Sequence, residues 1–180
     1  CISGQPRNIN RGVQNILENM KFDFEVFVHA WWDNNSNDDT FKKILYDGRK
    51  DEVSEPMGND WVGNLYQHFN VNKILIEKQI KLNVPDILEK RKLRFTHTFG
   101  VCSSLYSVYK CNELKRQFEI ENNFEYDWVI RTRSDFGLSE PITFDSFDNS
   151  LIYAPNDNSH NYGFNDQFAV GSSKNMNVYS

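Results

Sequence analysis

The stretch Tyr126–Phe136, YDWVIRTRSDF, decides how this chain is read. It opens as a buried strand would, with Trp128, Val129 and Ile130 in succession. Apolar, β-branched and aromatic residues in a row suit a strand covered on both faces. The run then turns polar at once: Arg131, Thr132, Arg133, Ser134, Asp135. Such a strand ends either in a solvated loop or in the floor of a binding site. Open α/β sheets bind ligands outside the carboxyl ends of their strands. The neighbouring elements therefore decide between the two.

Upstream, CIS (Cys1–Ser3) followed by GQPRN (Gly4–Asn8) reads as a strand end entering a Gly/Pro loop. A helix follows, with Val13, Ile16, Leu17 and Met20 spaced for one apolar face and Asn10 as its expected N-cap. FEVFVHAWW (Phe24–Trp32) is a second strand that ends in a polar run. Thr40–Gly63 reads as loop with short helices, and KILIEKQ (Lys73–Gln79) as a third strand. Val84–Phe95 is a short helix or an irregular segment. A long helix is expected over Val101–Asn122, its stripe built from Leu105, Val108, Tyr109, Leu114, Phe118 and Ile120. After the opening stretch come strands at Ser150–Pro155 and Asp166–Ser172, then a last helix from Ser173. Strands alternating with helices imply a mostly parallel, three-layer α/β/α sheet of Rossmann-like type. The chain opens inside a strand and closes inside a helix, so both ends read as cut from a longer polypeptide.

Polar groups collect at the expected strand ends. The first carries Gly4, Gln5, Pro6, Arg7 and Asn8; the second His29, Trp31, Trp32 and Asp33; the stretch itself Arg131, Arg133, Ser134 and Asp135. A lone His29 at a strand end suits a satisfied core histidine better than a ligand. Asp135 is the right type for Mg²⁺ or Mn²⁺, which bind through one or two carboxylates plus substrate phosphates. Arginine is the better bidentate partner of phosphate. Arg131, Arg133 and Asp135 therefore form a candidate diphosphate and metal station. The alternative is that an arginine simply pairs with Asp135.

Composition bounds the rest. Among 180 residues, 39% are hydrophobic and 14% aromatic, enough for a packed core. Net charge is −5, and the one basic cluster, LEKRKLRF (Leu88–Phe95), reads as a solvated helix end, so nucleic acid is not an expected partner. Three cysteines with no C-x-x-C spacing read as reduced thiols of a cytoplasmic chain. No apolar run is long enough for a transmembrane segment, and no signal peptide is visible.

Five segments in this order resemble the nucleotide-sugar-dependent glycosyltransferases of the GT-A fold: SGQPRN, FEVFVHAWWD, SSLYSVYKCNELK, YDWVIRTRSD and FNDQFAVGS. More narrowly, the chain resembles polysaccharide- and lipopolysaccharide-synthesis transferases of the WavE type, with related proteins in bacteria and large DNA viruses. The resemblance implies a single GT-A-like domain over residues 1–180. It implies transfer of a sugar from a UDP- or GDP-sugar donor to a glycan or glycolipid acceptor, in the cytoplasm, at a membrane's inner face, or in a virus-infected cell. It implies Gln5, Arg7, Ser103, Ser107, Lys110, Arg131, Arg133 and Ser134 as donor-binding residues. Ser103, Ser107 and Lys110 fall three and four apart and share a helix face. Asp166 is implied as the base that inverting enzymes use on the acceptor hydroxyl. Most relatives carry D-x-D, whose last Asp holds Mn²⁺ or Mg²⁺. Here the triplet is Arg133-Ser134-Asp135, so Asp135 matches the metal ligand while an arginine replaces the first carboxylate. His160 is a substitute for a further metal-binding histidine, although a loop histidine there more often faces solvent. Two other readings stay open: a non-catalytic nucleotide- or glycan-binding module, and a nucleotidyltransferase, for which SGQPRN is a poor phosphate loop.

Overall fold

The computed structural model describes residues 1–6, 9–32, 60–83, 98–155 and 167–180. The order is β1 (Ile2–Gly4), α1 (Ile9–Asn19), β2 (Val26–Trp31), α2 (Trp61–His68), β3 (Val71–Glu77), α3 (Thr98–Asn122), β4 (Val129–Thr132), β5 (Ile152–Tyr153), β6 (Phe168–Gly171) and α4 (Ser173–Tyr179). The strands form one sheet in the order β3-β2-β1-β4-β6-β5. β3, β2, β1 and β4 run parallel, while β6 is antiparallel to both β4 and β5. The α/β class follows as expected. The sheet is mixed, because β4, β5 and β6 succeed one another with no described helix between them. A parallel return needs a crossover, whereas an antiparallel one does not.

β2 shows why the class was readable. All six of its residues are buried. Val26, Val28 and Ala30 join a core cluster with Ile9, Val13 and Ile16 of α1 and with Trp61 and Leu65 of α2. Phe27, His29 and Trp31 face the other way, against α3: Phe27 meets Phe118, and Trp31 donates its indole N–H to the Ser103 carbonyl at 3.3 Å. Each buried Val, Ile or Phe adds about 1.5–3 kcal/mol of transfer free energy.

Two helices differ from expectation. α1 begins at Ile9, so Asn10 lies inside it rather than at its cap, and its side-chain carbonyl accepts from Asn64. On α3 the expected apolar stripe is divided: Leu105, Tyr109 and Ile120 are exposed, Ile120 at 76%, while Val108 is buried and Phe118 packs on Phe27. The inward row is Ser103, Ser107, Cys111, Lys115 and Glu119, at strict four-residue spacing. Small side chains at the first three positions let the helix lie close on the sheet. The Cys111 thiol touches the carbonyls of Ile2 and Phe27 at 3.4 and 3.3 Å. α3 ends before Asn123, whose φ of 55° is the left-handed geometry asparagine tolerates at a helix end. The three cysteines are free thiols. Among the described residues no helix is long and apolar enough to cross a membrane. The segments around Thr40 and Val84–Phe95 lie outside the described residues.

Candidate functional site

The strand order reverses between β1 and β4: β2 and β3 lie on one side, β6 and β5 on the other. Open α/β sheets bind ligands in a crevice outside the carboxyl ends of the strands at such a switch point; here the chain leaving β4 packs along α1, the helix that follows β1. Gly4-Gln5-Pro6 leaves β1 at that carboxyl edge, and Arg133-Ser134-Asp135 leaves β4 there. Gly4 turns with φ +114°, a backbone conformation that strains an L side chain. The Ser134 hydroxyl donates to the Gln5 carbonyl at 2.9 Å, tying the two exits together.

The turn after β4 is fixed from three sides. Arg133 N–H donates to the Gln167 carbonyl at 3.0 Å, and Phe136 N–H donates back to the Arg133 carbonyl at 3.3 Å. Phe136 stacks on Phe168 with ring centres 5.0 Å apart. The third constraint is α1, along which the chain after the turn runs. A Cβ on Gly12 would lie 1.8 Å from the Ser134 carbonyl oxygen, so only glycine admits this approach. One turn on, Asn15 clamps Leu138 both ways, accepting from its N–H at 2.7 Å and donating to its carbonyl at 2.9 Å. A turn further, the Asn19 carbonyl accepts from Ile142 N–H at 3.0 Å. Gly12, Asn15 and Asn19 share one face at helical spacing. They signal a bound segment in the sequence, a signal the apolar pattern alone misses.

In that turn Arg133 grips Asp135. Its Nε donates to Oδ1 at 2.8 Å and its Nη2 to Oδ2 at 2.5 Å, a bidentate fork with side chains 30% and 19% exposed. Two parallel charge-assisted bonds fix the guanidinium plane as well as its position. Arg131 differs: it is 3% exposed, opposite Ala169 of β6, and its charge acts on the buried Cys111 thiol. Arg131 is thus inside the sheet's α3 face, and Arg133 is at the rim.

The candidate residues of α3 sit below the crevice on the β2–β3 side. Ser107 is fully buried and meets Nδ1 of His29 at 2.6 Å, while Nε2 of His29 meets Glu77 at 2.8 Å. His29 is the satisfied core histidine expected. Its burial outweighs the pull of Glu77 and holds its pKa below the ordinary value. Ser103 is nearly buried and donates to the Gln79 side-chain carbonyl at 3.1 Å. Lys110 is half-buried, its ammonium 5.5 Å from the Tyr106 ring centre, which itself stacks on Trp31. The structure therefore brings Gln5, Arg133, Ser134 and Asp135 together and sets Ser103, Ser107 and Lys110 apart as a supporting layer. Arg7, His160 and Asp166 lie outside the described residues.

At the opposite, amino edge lies a cavity of about 680 Å³, walled by Ile16, Met20, Phe24, Trp128 and Phe144 and bordered by Lys115. Its buried lysine and its tyrosine hydroxyl already have partners. Lys115, 1% exposed, donates to Glu119 at 3.0 Å, to Asn177 at 2.9 Å and to Ser173. Glu119 accepts in turn from Ser173 at 2.6 Å and from Tyr126 N–H at 3.0 Å. The Tyr126 hydroxyl donates to Glu25, and burial beside that carboxylate raises its pKa.

A family model described as a domain of unknown function (DUF7796) matches residues 98–179, from the start of α3 to the end of α4. That span holds the Arg133–Asp135 turn and the polar row of α3, but neither β1 nor α1. No curated protein and no solved structure matches the chain.

Proposed function

We propose that this chain is a GT-A-type glycosyltransferase domain, with the sheet as the middle of three layers, and that the crevice between β1 and β4 holds the diphosphate of a nucleotide-sugar donor. The observation that carries the reading is the meeting of the two strand exits at the switch point, tied by Ser134 and Gln5, with a rim arginine fixed beside them. A diphosphate needs aimed N–H donors and positive charge, and Arg133 supplies both. Gln5 and Ser134 border the same exits, and the resemblance adds Arg7. Ser103, Ser107 and Lys110, which the resemblance also implies in donor binding, sit apart from these exits on α3.

In the transfer, an acceptor hydroxyl oxygen attacks the anomeric carbon as the bond from that carbon to the donor diphosphate breaks. The nucleoside diphosphate leaves with the electron pair, and the hydroxyl proton passes to Asp166. Inversion at the anomeric carbon follows from that single displacement. Asp166 follows from the resemblance, as do a UDP- or GDP-sugar donor and a glycan or glycolipid acceptor.

Mn²⁺ or Mg²⁺, which the resemblance also implies, would be held by Asp135 and would neutralise charge on the diphosphate. The residues fit it poorly. Both Asp135 oxygens already accept from Arg133, so a metal on either would share that oxygen with the guanidinium and lie beside its positive charge.

The test is release of nucleoside diphosphate from a panel of nucleotide sugars, with and without acceptor glycans. Turnover that falls in Asp166→Asn supports the reading. Binding of a donor with no turnover on any acceptor favours the non-catalytic module, to which the paired state of Asp135 lends some support. Release of pyrophosphate instead identifies a nucleotidyltransferase.

A further inference from the structure

We propose that the cation which holds an anion in the β1–β4 crevice is the Arg133 guanidinium, aimed by Asp135 as its positioning residue, and that a diphosphate binds there without a divalent metal. The proposal rests on the glycosyltransferase reading only for the nucleoside part of the ligand.

Three observations carry it. The fork engages both carboxylate oxygens of Asp135, at 2.8 and 2.5 Å, so a metal on either oxygen would share it with the guanidinium and lie beside that positive charge. It uses two of the five N–H donors that a guanidinium carries, leaving three for a ligand. The turn that bears it is immobilised at Ser134 by Gly12 and Gln5 and at Arg133 by Gln167. The guanidinium is therefore pre-oriented and partly exposed before a ligand arrives. Little side-chain entropy is left to lose on binding, which is how a fixed arginine gains affinity over a free one. In this arrangement Asp135 touches Arg133 rather than the ligand. Its removal loosens the aim while the charge stays.

The experiment is calorimetric titration of the full chain with inorganic pyrophosphate, UDP and GDP, in EDTA and again in millimolar Mn²⁺. Pyrophosphate and at least one nucleoside diphosphate are expected to bind in EDTA within about twofold of their affinity in Mn²⁺, and Arg133→Gln is expected to weaken both by about tenfold or more. Arg133→Lys keeps the charge but not the fork and is expected to fall between, which also controls for folding. Asp135→Asn is expected to weaken binding by about three- to tenfold, with partial recovery in Asp135→Glu. Binding that requires Mn²⁺, vanishes in Asp135→Asn and strengthens in Arg133→Gln overturns the inference while leaving the glycosyltransferase reading standing. Arg133-dependent binding of pyrophosphate without UDP or GDP keeps the inference and removes that reading. No binding of any probe in either buffer overturns both.

Discussion

The two edges of the sheet use their polar groups in opposite ways. At the amino edge, a cavity of about 680 Å³ has aromatic and aliphatic walls, and its charged neighbours bond to one another: Lys115 to Glu119, Tyr126 to Glu25. At the carboxyl edge, the β4 turn carries a guanidinium held flat by one carboxylate and only partly covered. Volume and apolar lining alone favour the first as a ligand site. Strand direction and the order reversal favour the second. The second is preferred because a phosphate needs donors with capacity left, and Lys115 and Tyr126 at the amino edge have spent theirs on the fold. Space alone does not identify a site; the state of its hydrogen-bonding groups does.

That contrast breaks if amino-edge changes alter binding, or if carboxyl-edge changes mainly alter stability. The largest effect is expected from Lys115→Met, which leaves Glu119 buried without its cation and should cost about 3–5 kcal/mol in urea unfolding. Pyrophosphate affinity of the folded protein should not change. Gly12→Ala comes next. Its methyl meets the Ser134 carbonyl, and the overpacking should cost about 1–3 kcal/mol. It should also reduce pyrophosphate binding, since the turn must shift. Arg133→Gln reverses the pattern, with the binding loss described above and a stability change below about 1 kcal/mol, as for a partly exposed ion pair.

A smaller effect concerns pH. His29 titrates below its ordinary value in the fold, so as pH falls from about 6.5 the unfolded chain takes up the proton first. Its stabilising contribution is present above that pH and is lost as pH falls through the lowered folded value. Urea midpoints at pH 7.5 and 5.5 should diverge more in the parent than in His29→Gln. The smallest effect belongs to the outer face of α3. Ile120→Thr, at a 76%-exposed position, should shift stability by no more than about 0.5 kcal/mol. A larger loss would mean that the apolar residues of that helix face inward after all.

α1 and α3 show how much of this was legible. On α1, Val13 and Ile16 recur at helical spacing and are buried as their chemistry directs. On α3, the buried row is Ser103, Ser107, Cys111, Lys115 and Glu119, and reading apolar residues as inward finds Val108 and Phe118 but also takes in the exposed Leu105, Tyr109 and Ile120. Each buried polar group there is satisfied by a partner distant in sequence, such as His29 for Ser107 and Ser173 for Lys115. Periodicity registers polarity, not partners. The same limit applies to Arg131 and Arg133. The sequence set them side by side as equivalent phosphate groups, but strand alternation sends the first under α3, and the end of β4 leaves the second at the rim. The switch point itself was foreshadowed by β/α alternation and by the abrupt change at Ile130–Arg131. The antiparallel return of β6 was not, because strand direction depends on pairing that a single chain pattern does not encode.

The most direct test of the central claim is a crystal structure of the chain soaked with a nucleoside diphosphate in the presence of EDTA. The account predicts diphosphate density at the carboxyl edge, between Gln5 and the Arg133–Asp135 fork, with guanidinium nitrogens within hydrogen-bonding distance of phosphate oxygens. Density in the amino-edge cavity beside Lys115 and Tyr126, with the fork untouched, would contradict it.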